Sequence, residues 1–387
     1  MDIHYINYSL LSERMAHNVA RTEMAKAFSR VAEVSHVYFY VLMNKRKDIY
    51  KLKQKLPDKV HLRHVFSPGY KISDERPASL FRKLVYKFYF LKYVSKILFM
   101  RFKKEDFIFA RDLGGVLPLY MRSFLGLSYS FEIHNYEFGK NIFSDFCYRR
   151  LMKRASYVVT VSKFTKKNWV KHGIDPKKIL VLPSGVDVKS FDISLGKKEA
   201  RKKLDLPLDK KILVYTGHLY EWKGVDTLID SMKTLGEDYL LCIVGGKHND
   251  ILKMKRYSDN IELTNVLFFG QKEHDEVVSY LKAADVVVLP NSGRFDISKY
   301  HTSPIKLYEY ISSKRPVVAS RLASIEQAVS EDEVWFFNPD DASDLAYVVK
   351  KVLHRSSRSK IEKAYKMAKE CSWDKRAEKI VGCLKAR

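Results

Sequence analysis

Residues 211–224 read KILVYTGHLYEWKG, and this stretch decides the fold of the second half of the chain. An apolar run ends at Gly217, and a short polar loop leads to Lys223 and Gly224 at the start of a helical segment. The same order of strand, loop and helix recurs at four further apolar runs: YLLCIVGG, NVLFFG, DVVVLP and RPVVAS. Alternation of this kind predicts a parallel sheet that is covered by helices.

The first half of the chain shows the same alternation. Its predicted strands are IHYINY, SHVYFYVLM, DFIFA, SYSFEIH and ASYVVTVS, with a helix between Met15 and Val31. A polar stretch, SLGKKEARKKLDLPLDK, precedes the second set of strands. We therefore predict an α/β protein with two Rossmann-like, doubly wound domains, at residues 1–190 and 191–368, and a C-terminal helix at 369–387 that returns to the first domain.

The composition excludes several classes of protein. No stretch approaches about 18 uninterrupted apolar residues, and the N-terminal segment lacks the pattern of a secretory signal, so we expect a cytoplasmic protein. The four cysteines lack metal-ligand spacing, and neither a metal site nor a cofactor is predicted. They suit a reducing compartment. These cysteines are Cys147, Cys242, Cys371 and Cys383.

Basic residues are concentrated in the first half. Residues 1–187 hold 35 Lys and Arg against 16 Asp and Glu, whereas the remainder holds 35 against 29. Residues 81–104 form a predicted helix with eight basic residues, and it could lie on an anionic bilayer or pack on its own domain as a solvated helix. One face of this helix is predicted to carry Leu84, Phe88, Leu91, Leu98 and Phe102.

Two helix starts in the second half are candidate anion sites. Lys223 precedes a helix whose first turn can accept a negative group, although an ordinary helix start with a solvated lysine has the same pattern. In the stretch HTSPIKLYE, Ser303 caps a helix that Pro304 begins, which leaves N–H groups of the first turn as donors. Glu309 could accept two hydrogen bonds from a diol, or it could pair with Lys306 three residues earlier.

Taken together, these stretches resemble the retaining glycosyltransferases of family 4, whose GT-B fold has two Rossmann-like domains that face each other across a cleft. The resemblance covers most of the chain from about residue 130, and before it only the topology is similar. The matching motifs, in order, are EIHNY, VVTVSKFTKKNWVKHGIDPKKILVLPSGVDVKSF, GHLYEWKGVDTLIDS, FFGQKEHDEVVSYLKAADVVVLP, SPIKLYEYISSKRPVVAS and CSWDKRAEKI.

The resemblance implies three catalytic residues. Lys223 would bind the donor diphosphate, Glu309 would hold the ribose hydroxyls, and His134 would lie near the transferred sugar. Without the resemblance, His134 would be a buried histidine at a strand end. The residues predicted to bind the donor are Gly217, His218, Gly245, Gly270, Gln271, Arg294, His301, Ser303, Pro304 and Ile305.

Some positions depart from the family pattern. His218 stands where the family often has arginine, and His301 stands where the first carboxylate of an E-x7-E pair is common. Ser184 replaces the asparagine of an NGVD motif, and the stretch NYSLLSERMAH lacks the usual glycine-rich turn. No carboxylate nucleophile is therefore identified at position 301. Phosphate charge would be met by Lys223 and a histidine, with Arg294 as a possible substitute for the missing arginine.

The resemblance implies a glycosyltransferase that retains the anomeric configuration. We predict that it works without a metal and moves a hexose-type sugar from a UDP- or GDP-sugar to a membrane-held, for example lipid-linked, or polysaccharide acceptor in cell-envelope glycan synthesis. The basic first domain would place it on the anionic inner face of the cell membrane. One alternative is an epimerase or hydrolase of nucleotide sugars with the GT-B fold. Another is a binding protein on this scaffold, but no nucleic-acid motif is present and we predict no nucleic-acid partner.

Overall fold

The computed structural model describes residues 1–10, 16–43, 46–66, 80–111, 113–134, 136, 138–139, 141–301, 305–354 and 358–385. The chain divides into two compact units. The first holds Met1–Pro183 and Trp373–Arg387, and the second holds Ser184–Ser372. The sequence predicts a domain boundary after residue 190 and a returning C-terminal segment that begins at residue 369.

The first unit is a seven-stranded parallel sheet in the order β3-β2-β1-β4-β5-β6-β7. Its strands are β1 (Asp2–Leu10), β2 (His36–Met43), β3 (Val60–Phe66), β4 (Phe107–Ala110), β5 (Ser130–Glu132), β6 (Val158–Thr160) and β7 (Ile179–Val181). Its helices are α1 (Ala16–Arg30), α2 (Arg46–Lys55), α3 (Leu80–Leu98), α4 (Leu113–Ser123), α5 (Ile142–Arg154), α6 (Lys163–Lys171) and, from the end of the chain, α16 (Trp373–Lys385).

The second unit is a six-stranded parallel sheet in the order β10-β9-β8-β11-β12-β13. Its strands are β8 (Lys211–Thr216), β9 (Tyr239–Val244), β10 (Val266–Phe268), β11 (Val286–Leu289), β12 (Val317–Ser320) and β13 (Trp335–Phe337). Its helices are α7 (Val188–Phe191), α8 (Lys197–Lys203), α9 (Val225–Leu235), α10 (His248–Asn260), α11 (His274–Ala283), α12 (Ile305–Ser312), α13 (Ala323–Glu326), α14 (Ala342–Leu353) and α15 (Arg358–Glu370).

Burial explains why the central strands are continuous apolar runs. Val286, Val287 and Val288 of β11 are fully buried, and alternate residues of the strand contribute to separate core clusters. A parallel strand that is covered on both faces has no solvent-facing side, so it needs apolar residues throughout. The central strands of the second unit could therefore be predicted from their apolar sequences.

All ten predicted strands are present, and three further strands were not predicted. These three, β3, β7 and β13, lie at edges of the two sheets. An edge strand has a pairing partner on one side only and less covering structure, so its sequence is under weaker demand for apolar residues. In β3, for example, Arg63 and His64 are exposed.

The predicted apolar face of the basic helix is wrong in part. Phe88 and Leu91 of α3 are 63% and 64% exposed, whereas Tyr93 and Ile97 are buried in the first-unit core. The helix ends at Leu98, and Phe102 lies beyond it and packs against the same core. The side chain of Leu84 lies outside the described residues. Packing of α3 on α4 and β3 selected a different face from the one that helical periodicity suggested.

The C-terminal helix α16 packs within the first unit. Trp373, Ala377, Ile380 and Val381 are buried in the same cluster as residues of α1 and β1. Arg30 of α1 also donates a hydrogen bond to Asp374, with 2.6 Å between Nε and Oδ1. The last helix of the chain therefore belongs to the core of the first unit.

Within the part of the chain that the structure describes, no helix combines the length and the apolar character that a bilayer span requires.

Candidate functional site

The second sheet changes its winding direction between β8 and β11, which lie side by side. The chain leaves β8 for β9 on one side and leaves β11 for β12 on the other. In open α/β sheets, ligands bind beyond the carboxyl ends of the strands at such a point. Residues 217–224 follow β8 and residues 290–295 follow β11; we call these two segments the switch loops.

The two switch loops are packed backbone against backbone. Ser292 donates a hydrogen bond from its N–H to the carbonyl of Trp222, with 3.0 Å between the atoms. Gly224 has φ 63°, and a Cβ atom there would lie 2.0 Å from the carbonyl oxygen of Pro290. Only glycine tolerates this approach, so the packing of the loops requires Gly224.

Three predicted donor-binding glycines lie together at the ends of β8, β9 and β10. The N–H of Gly217 donates to the carbonyl of Val244 at 2.9 Å, and the N–H of Gly245 donates to the carbonyl of Gly270 at 2.6 Å. Gly245 has φ 118°, and a Cβ atom at this position would lie 2.3 Å from the carbonyl oxygen of Gly217. These three residues have no side chains, so a ligand can approach the backbone at the strand ends closely.

Lys223 carries the most perturbed lysine pKa near the switch point. Its Nζ lies 4.0 Å from the ring centroid of Trp222. Burial, followed by repulsion from Lys306, lowers the pKa of Lys223 from 10.5 to about 7. An anion that binds beside Lys223 raises this lowered pKa, because its negative charge offsets both the burial and the repulsion from Lys306. Lys223 then becomes fully charged.

Lys306 and Glu309 lie one turn apart on α12 and form an ion pair, with 2.6 Å between Nζ and Oε2. The Glu309 side chain is only 12% exposed. This pair is one of the two roles that the sequence allowed for Glu309. The positive charge of Lys306 also acts on both Lys223 and His218. Lys306 is thus a site residue that the sequence analysis missed, although its place in the first turn beside Glu309 was a usable signal.

His218 is a neutral histidine near three lysines. Its ring stacks on Tyr220, with 4.9 Å between ring centroids. Burial, followed by the charges of Lys223, Lys247 and Lys306, lowers its pKa. Its Nδ1 atom is buried and has no hydrogen-bond partner among the described residues. His218 can therefore offer a hydrogen bond to a ligand, but it supplies no permanent charge in place of arginine.

Arg294 has its charge offset by two carboxylates. Its guanidinium donates to Asp226 at 2.8 Å and lies 3.3 Å from Asp340. Its Nε also donates to the hydroxyl of Ser292 at 3.1 Å. The bond to Asp226 raises the pKa of Arg294, although burial opposes this. The charge of Arg294 is therefore already paired within the chain, as the charge of Lys306 is paired with Glu309.

The remaining predicted donor-binding residues lie near α12 and β10. Ser303 and Pro304 lie outside the described residues, as does the side chain of His301, whose backbone ends a π-helical turn over Ile297–His301. Ile305 is the first residue of α12, and Gln271 is exposed directly after Gly270. The predicted cap of α12 and the residue that replaces the family carboxylate therefore stay predictions.

Asn291 is a second residue that the sequence analysis missed. It follows Pro290 in a switch loop and is fully buried, yet neither its amide nitrogen nor its oxygen has a hydrogen-bond partner among the described residues. Buried amides are normally paired. Its position directly after an apolar strand was the signal that could have identified it.

In the first unit, His134 lies two residues beyond the end of β5 and contacts Glu132. Its Nε2 forms a short hydrogen bond with Oε1 of Glu132, and the His134 side chain is 29% exposed. Glu132 also contacts Arg111 and Arg376, at 3.8 Å and 3.1 Å. Burial opposes its ionisation, but Arg376, Arg111 and His134 hold the pKa of Glu132 well below its ordinary value. Glu132 and Arg376 were not predicted, although Glu132 lies in the quoted motif EIHNY.

Two family models match consecutive parts of the chain. The model described as glycosyl transferases group 1 matches residues 196–370, and the model described as glycosyltransferase family 4 matches residues 47–190. The first match covers the second sheet and its loops, and the second covers most of the first sheet.

Individual relatives share about a quarter of their aligned residues with this chain. TuaC of Bacillus subtilis, a glycosyltransferase assigned provisionally to teichuronic acid biosynthesis, is 26% identical over 255 residues, which is 64% of this chain and 60% of TuaC. A D-inositol 3-phosphate glycosyltransferase of Corynebacterium diphtheriae is 26% identical over 203 residues, or 48% of this chain and 45% of that protein. The chain spans about half the length of the relatives it matches.

Solved structures show the same fold over the whole chain. HepE of Anabaena, in complex with UDP and glucose, superposes with a TM-score of 0.75 at 15% identity and full coverage of both chains. A glycosyltransferase of Rickettsia africae has a TM-score of 0.75 at 16% identity, with coverage of 98% of this chain and 97% of that one. At such identities the likeness concerns the fold.

Proposed function

We propose that this chain, which belongs to glycosyltransferase family 4 and has the GT-B fold, transfers a hexose-type sugar from a UDP- or GDP-sugar to a membrane-held or polysaccharide acceptor. The observation that carries the proposal is the meeting of Lys223, Lys306 and Glu309 at the switch point of the second sheet. HepE, a neighbour in fold, binds UDP and UDP-glucose in its solved complexes, which supports a nucleotide sugar as the donor.

The donor diphosphate binds between the two lysines. Burial and the positive charge of Lys306 lower the tendency of Lys223 to carry charge while the site is empty. A diphosphate reverses this effect and makes Lys223 fully charged. The N–H groups in the first turn of α12 add further donors, since the first residues of a helix have no partner within it.

Glu309 holds the ribose of the donor. In the empty site its carboxylate is paired with Lys306 at 2.6 Å. When Lys306 turns to the phosphate, the Glu309 carboxylate is released and accepts hydrogen bonds from the two ribose hydroxyls. The ion pair therefore keeps a buried carboxylate satisfied until the donor arrives.

The chemistry is transfer with retention of configuration, and it proceeds without a metal ion. As the anomeric bond breaks, negative charge develops on the leaving diphosphate, and Lys223 and Lys306 stabilise it from fixed positions. The leaving phosphate helps to deprotonate the acceptor on the same face of the sugar. His134 contacts the transferred sugar, as the family resemblance implies. No carboxylate nucleophile is assigned, since position 301 is a histidine.

The acceptor is held at an anionic membrane, and the protein works on the inner face of that membrane. In the first unit, α3 packs on α4 and α4 packs on α5, and these helices and the turns after them expose many large apolar side chains. Two of these side chains lie under arginines, with Arg150 4.3 Å from the Phe146 ring and Arg154 4.6 Å from the Phe124 ring. The exposed set, which we call the apolar patch, is Phe88, Leu91, Phe99, Leu117, Met121, Phe124, Leu125, Ile142, Phe143 and Phe146.

Apolar side chains mixed with basic ones are typical of surfaces that enter the headgroup region of an anionic bilayer. The provisional assignment of TuaC to teichuronic acid biosynthesis supports a cell-envelope glycan as the product. An acceptor of this class would be presented at the membrane, where the apolar patch would bring the first unit.

A thermal-shift panel of UDP-, GDP- and ADP-sugars tests the proposal. A ligand that binds only the folded chain raises the midpoint of unfolding with concentration. We expect one nucleotide class to stabilise the wild-type chain, Lys223→Ala and Glu309→Ala to lose the effect, and Lys233→Ala, an exposed lysine of α9, to keep it. Stabilisation that is undiminished in both site variants would refute this site.

Product analysis with and without a glycan acceptor then separates the reaction types. Transfer requires the acceptor and yields the free nucleoside diphosphate together with a glycosylated product. Sugar release or epimerisation in the absence of an acceptor would contradict a transferase.

A further inference from the structure

One charged cluster of the first unit is buried at the end of β5, beside His134. The side chains of Glu132, Arg111 and Arg376 are 1%, 8% and 4% exposed. His134, Arg111 and Arg376 all approach the same oxygen of Glu132, Oε1. The other oxygen, Oε2, is buried and has no hydrogen-bond partner among the described residues. Two guanidiniums, those of Arg111 and Arg376, therefore help to determine where Oε1 lies relative to the His134 ring.

The charges of this cluster determine its protonation. A buried carboxylate beside two guanidiniums stays ionised, so Glu132 can only accept hydrogen bonds. Burial lowers the pKa of His134, and the two arginines add to this effect while Glu132 opposes it. A neutral His134 that faces Glu132 through Nε2 must carry its proton there. Its other nitrogen, Nδ1, is then a hydrogen-bond acceptor.

Arg376 has its own attachment, which does not depend on Glu132. Its Nε donates to the carbonyl of Pro183 at 2.9 Å, and its Nη2 donates to the carbonyl of Leu182 at 3.4 Å. These carbonyls follow β7, and Arg376 itself comes from α16, whose apolar residues are packed in the core. The guanidinium is therefore held by the C-terminal helix and a strand end, and it presents a fixed positive charge to Glu132.

We propose that Arg376 is a positioning residue for His134: it holds the Glu132 carboxylate, which in turn keeps the imidazole in one orientation with its proton on Nε2 and with Nδ1 as an acceptor. The role of this orientation rests on the proposed function, in which His134 contacts the transferred sugar. The state of the ring is a property of the chain alone. The C-terminal helix thereby contributes to the site as well as to the core.

Nitrogen-15 NMR of histidine-labelled full-length protein reads this state without any substrate. The two ring nitrogens of a neutral histidine have distinct shifts, and a His134→Gln variant identifies the signals of His134. Arg376→Met removes the guanidinium and keeps an apolar stem. The double variant Glu132→Gln with Arg376→Met removes one charge of each sign, so it leaves the local net charge unchanged if the single variant does not fold.

Arg30→Met is the matched control. Arg30 also ties α16 to the first unit, through Asp374, but neither residue of that ion pair contacts Glu132 or His134 in the described structure. This variant weakens the attachment of the same helix while it leaves the charged cluster intact.

We expect the wild type and Arg30→Met to show His134 protonated on Nε2, and both Arg376 variants to show a mixture of tautomers or a protonated ring. With donor and acceptor, both Arg376 variants should lose about 10- to 100-fold in kcat/KM with little change in donor affinity, as for other groups that orient a functional histidine. A wild-type tautomer in Arg376→Met, or in the double variant if the single variant does not fold, would overturn the proposal. If the tautomer changes but no nucleotide sugar binds to any form, the positioning stands and the proposed function fails.

Discussion

The hydroxyl of Tyr310 accepts a hydrogen bond from the N–H of Thr216 at 2.8 Å and donates one to the carbonyl of the same residue at 3.1 Å. Thr216 is the last residue of β8, and Tyr310 follows Glu309 on α12. One buried hydroxyl therefore joins the helix that carries Lys306 and Glu309 to the strand that leads into the first switch loop. The relative positions of Lys223 and Glu309 depend on this contact.

Removal of that hydroxyl should destabilise the second unit. Tyr310→Phe leaves the N–H and the carbonyl of Thr216 without this partner, and each unsatisfied buried group costs about 1–3 kcal/mol. We expect the free energy of unfolding, measured in urea, to fall by about this amount, and donor affinity to fall with it. Tyr308→Phe is the control, because that buried hydroxyl bonds to the Cys371 thiol, which is a weak partner. Equal losses in the two variants would contradict a special role for Tyr310.

Lys223 should make stability depend on pH in a predictable direction. Its pKa is about 7 in the folded chain, because burial and Lys306 lower it from 10.5. The unfolded chain therefore holds this proton more tightly, and the contribution of Lys223 to the free energy of unfolding rises between about pH 7 and pH 10. Lys223→Met removes this dependence, so its stability advantage over the wild type should be greatest below about pH 7 and shrink by about pH 10.

Urea unfolding of both proteins across that pH range measures the difference. Lys233→Met, which replaces an exposed lysine of α9, is the control and should show no such trend. An advantage of the Lys223 variant that grows as the pH rises would have the wrong sign and would remove the basis of this prediction.

Donor binding should be coupled to proton uptake through the same lysine. A diphosphate beside Lys223 raises its pKa, so at about pH 8 binding of the donor draws a proton from solution. Titration calorimetry in two buffers of different ionisation enthalpy measures this uptake. It should decrease at about pH 6, where Lys223 is already charged, and it should be absent in any residual binding by Lys223→Met. Equal uptake by the wild type and the variant would assign the proton to another group.

Replacement of Glu309 should reduce donor affinity with little effect on stability. Glu309→Gln keeps the shape of the side chain but weakens its hydrogen bonds to the ribose hydroxyls, and we expect a loss of about 10-fold, or about 1.4 kcal/mol. The ion pair with Lys306 contributes only about 0.2–0.5 kcal/mol as a neighbouring pair on a helix. Glu276→Gln, which breaks the similar ion pair with Lys272, is the control for the stability that such a pair contributes. An unchanged dissociation constant for Glu309→Gln would exclude a ribose contact.

The basic residues of α3 should contribute to membrane binding. Lys87, Lys92 and Lys96 are exposed, and each lysine near an anionic surface is worth about 1 kcal/mol. Replacement of all three with glutamine should weaken pelleting with anionic vesicles about 100-fold, with no change on neutral vesicles. Unaltered pelleting of the triple variant would reject α3 as the contact.

The matched control for that experiment lies in the second unit. Lys198, Lys202 and Lys233 are exposed as well, and their replacement changes the net charge of the chain by the same amount. We expect this control to pellet like the wild type. A separate variant, Ile142→Ser with Phe143→Ser, tests the apolar patch, because these side chains are 91% and 77% exposed.

Much of the fold could be predicted from local sequence patterns. The features that were not predicted are three edge strands and the buried face of α3. Strands at the centres of the sheets, such as β8 and β11, are buried on both faces and were recognisable as apolar runs. The edge strands β7 and β13 have only three residues each, but so do the predicted strands β5, β6 and β10, so length alone does not explain why two were missed. The face of α3 was assigned wrongly because aromatic and aliphatic residues surround that helix, so periodicity alone did not select one side.

The sequence by itself determined the alternation of strands and helices, the glycines that close contacts require and, through the family resemblance, the candidate roles of Lys223, Glu309 and His134. These features depend on short stretches of chain, where the order of residues settles burial and backbone conformation. Only the tertiary structure decided which charges meet: Lys306 acts on Lys223, and Arg376 of the last helix contacts Glu132. These partners are far apart along the chain, and crossovers between parallel strands bring them together, so no local pattern could have paired them.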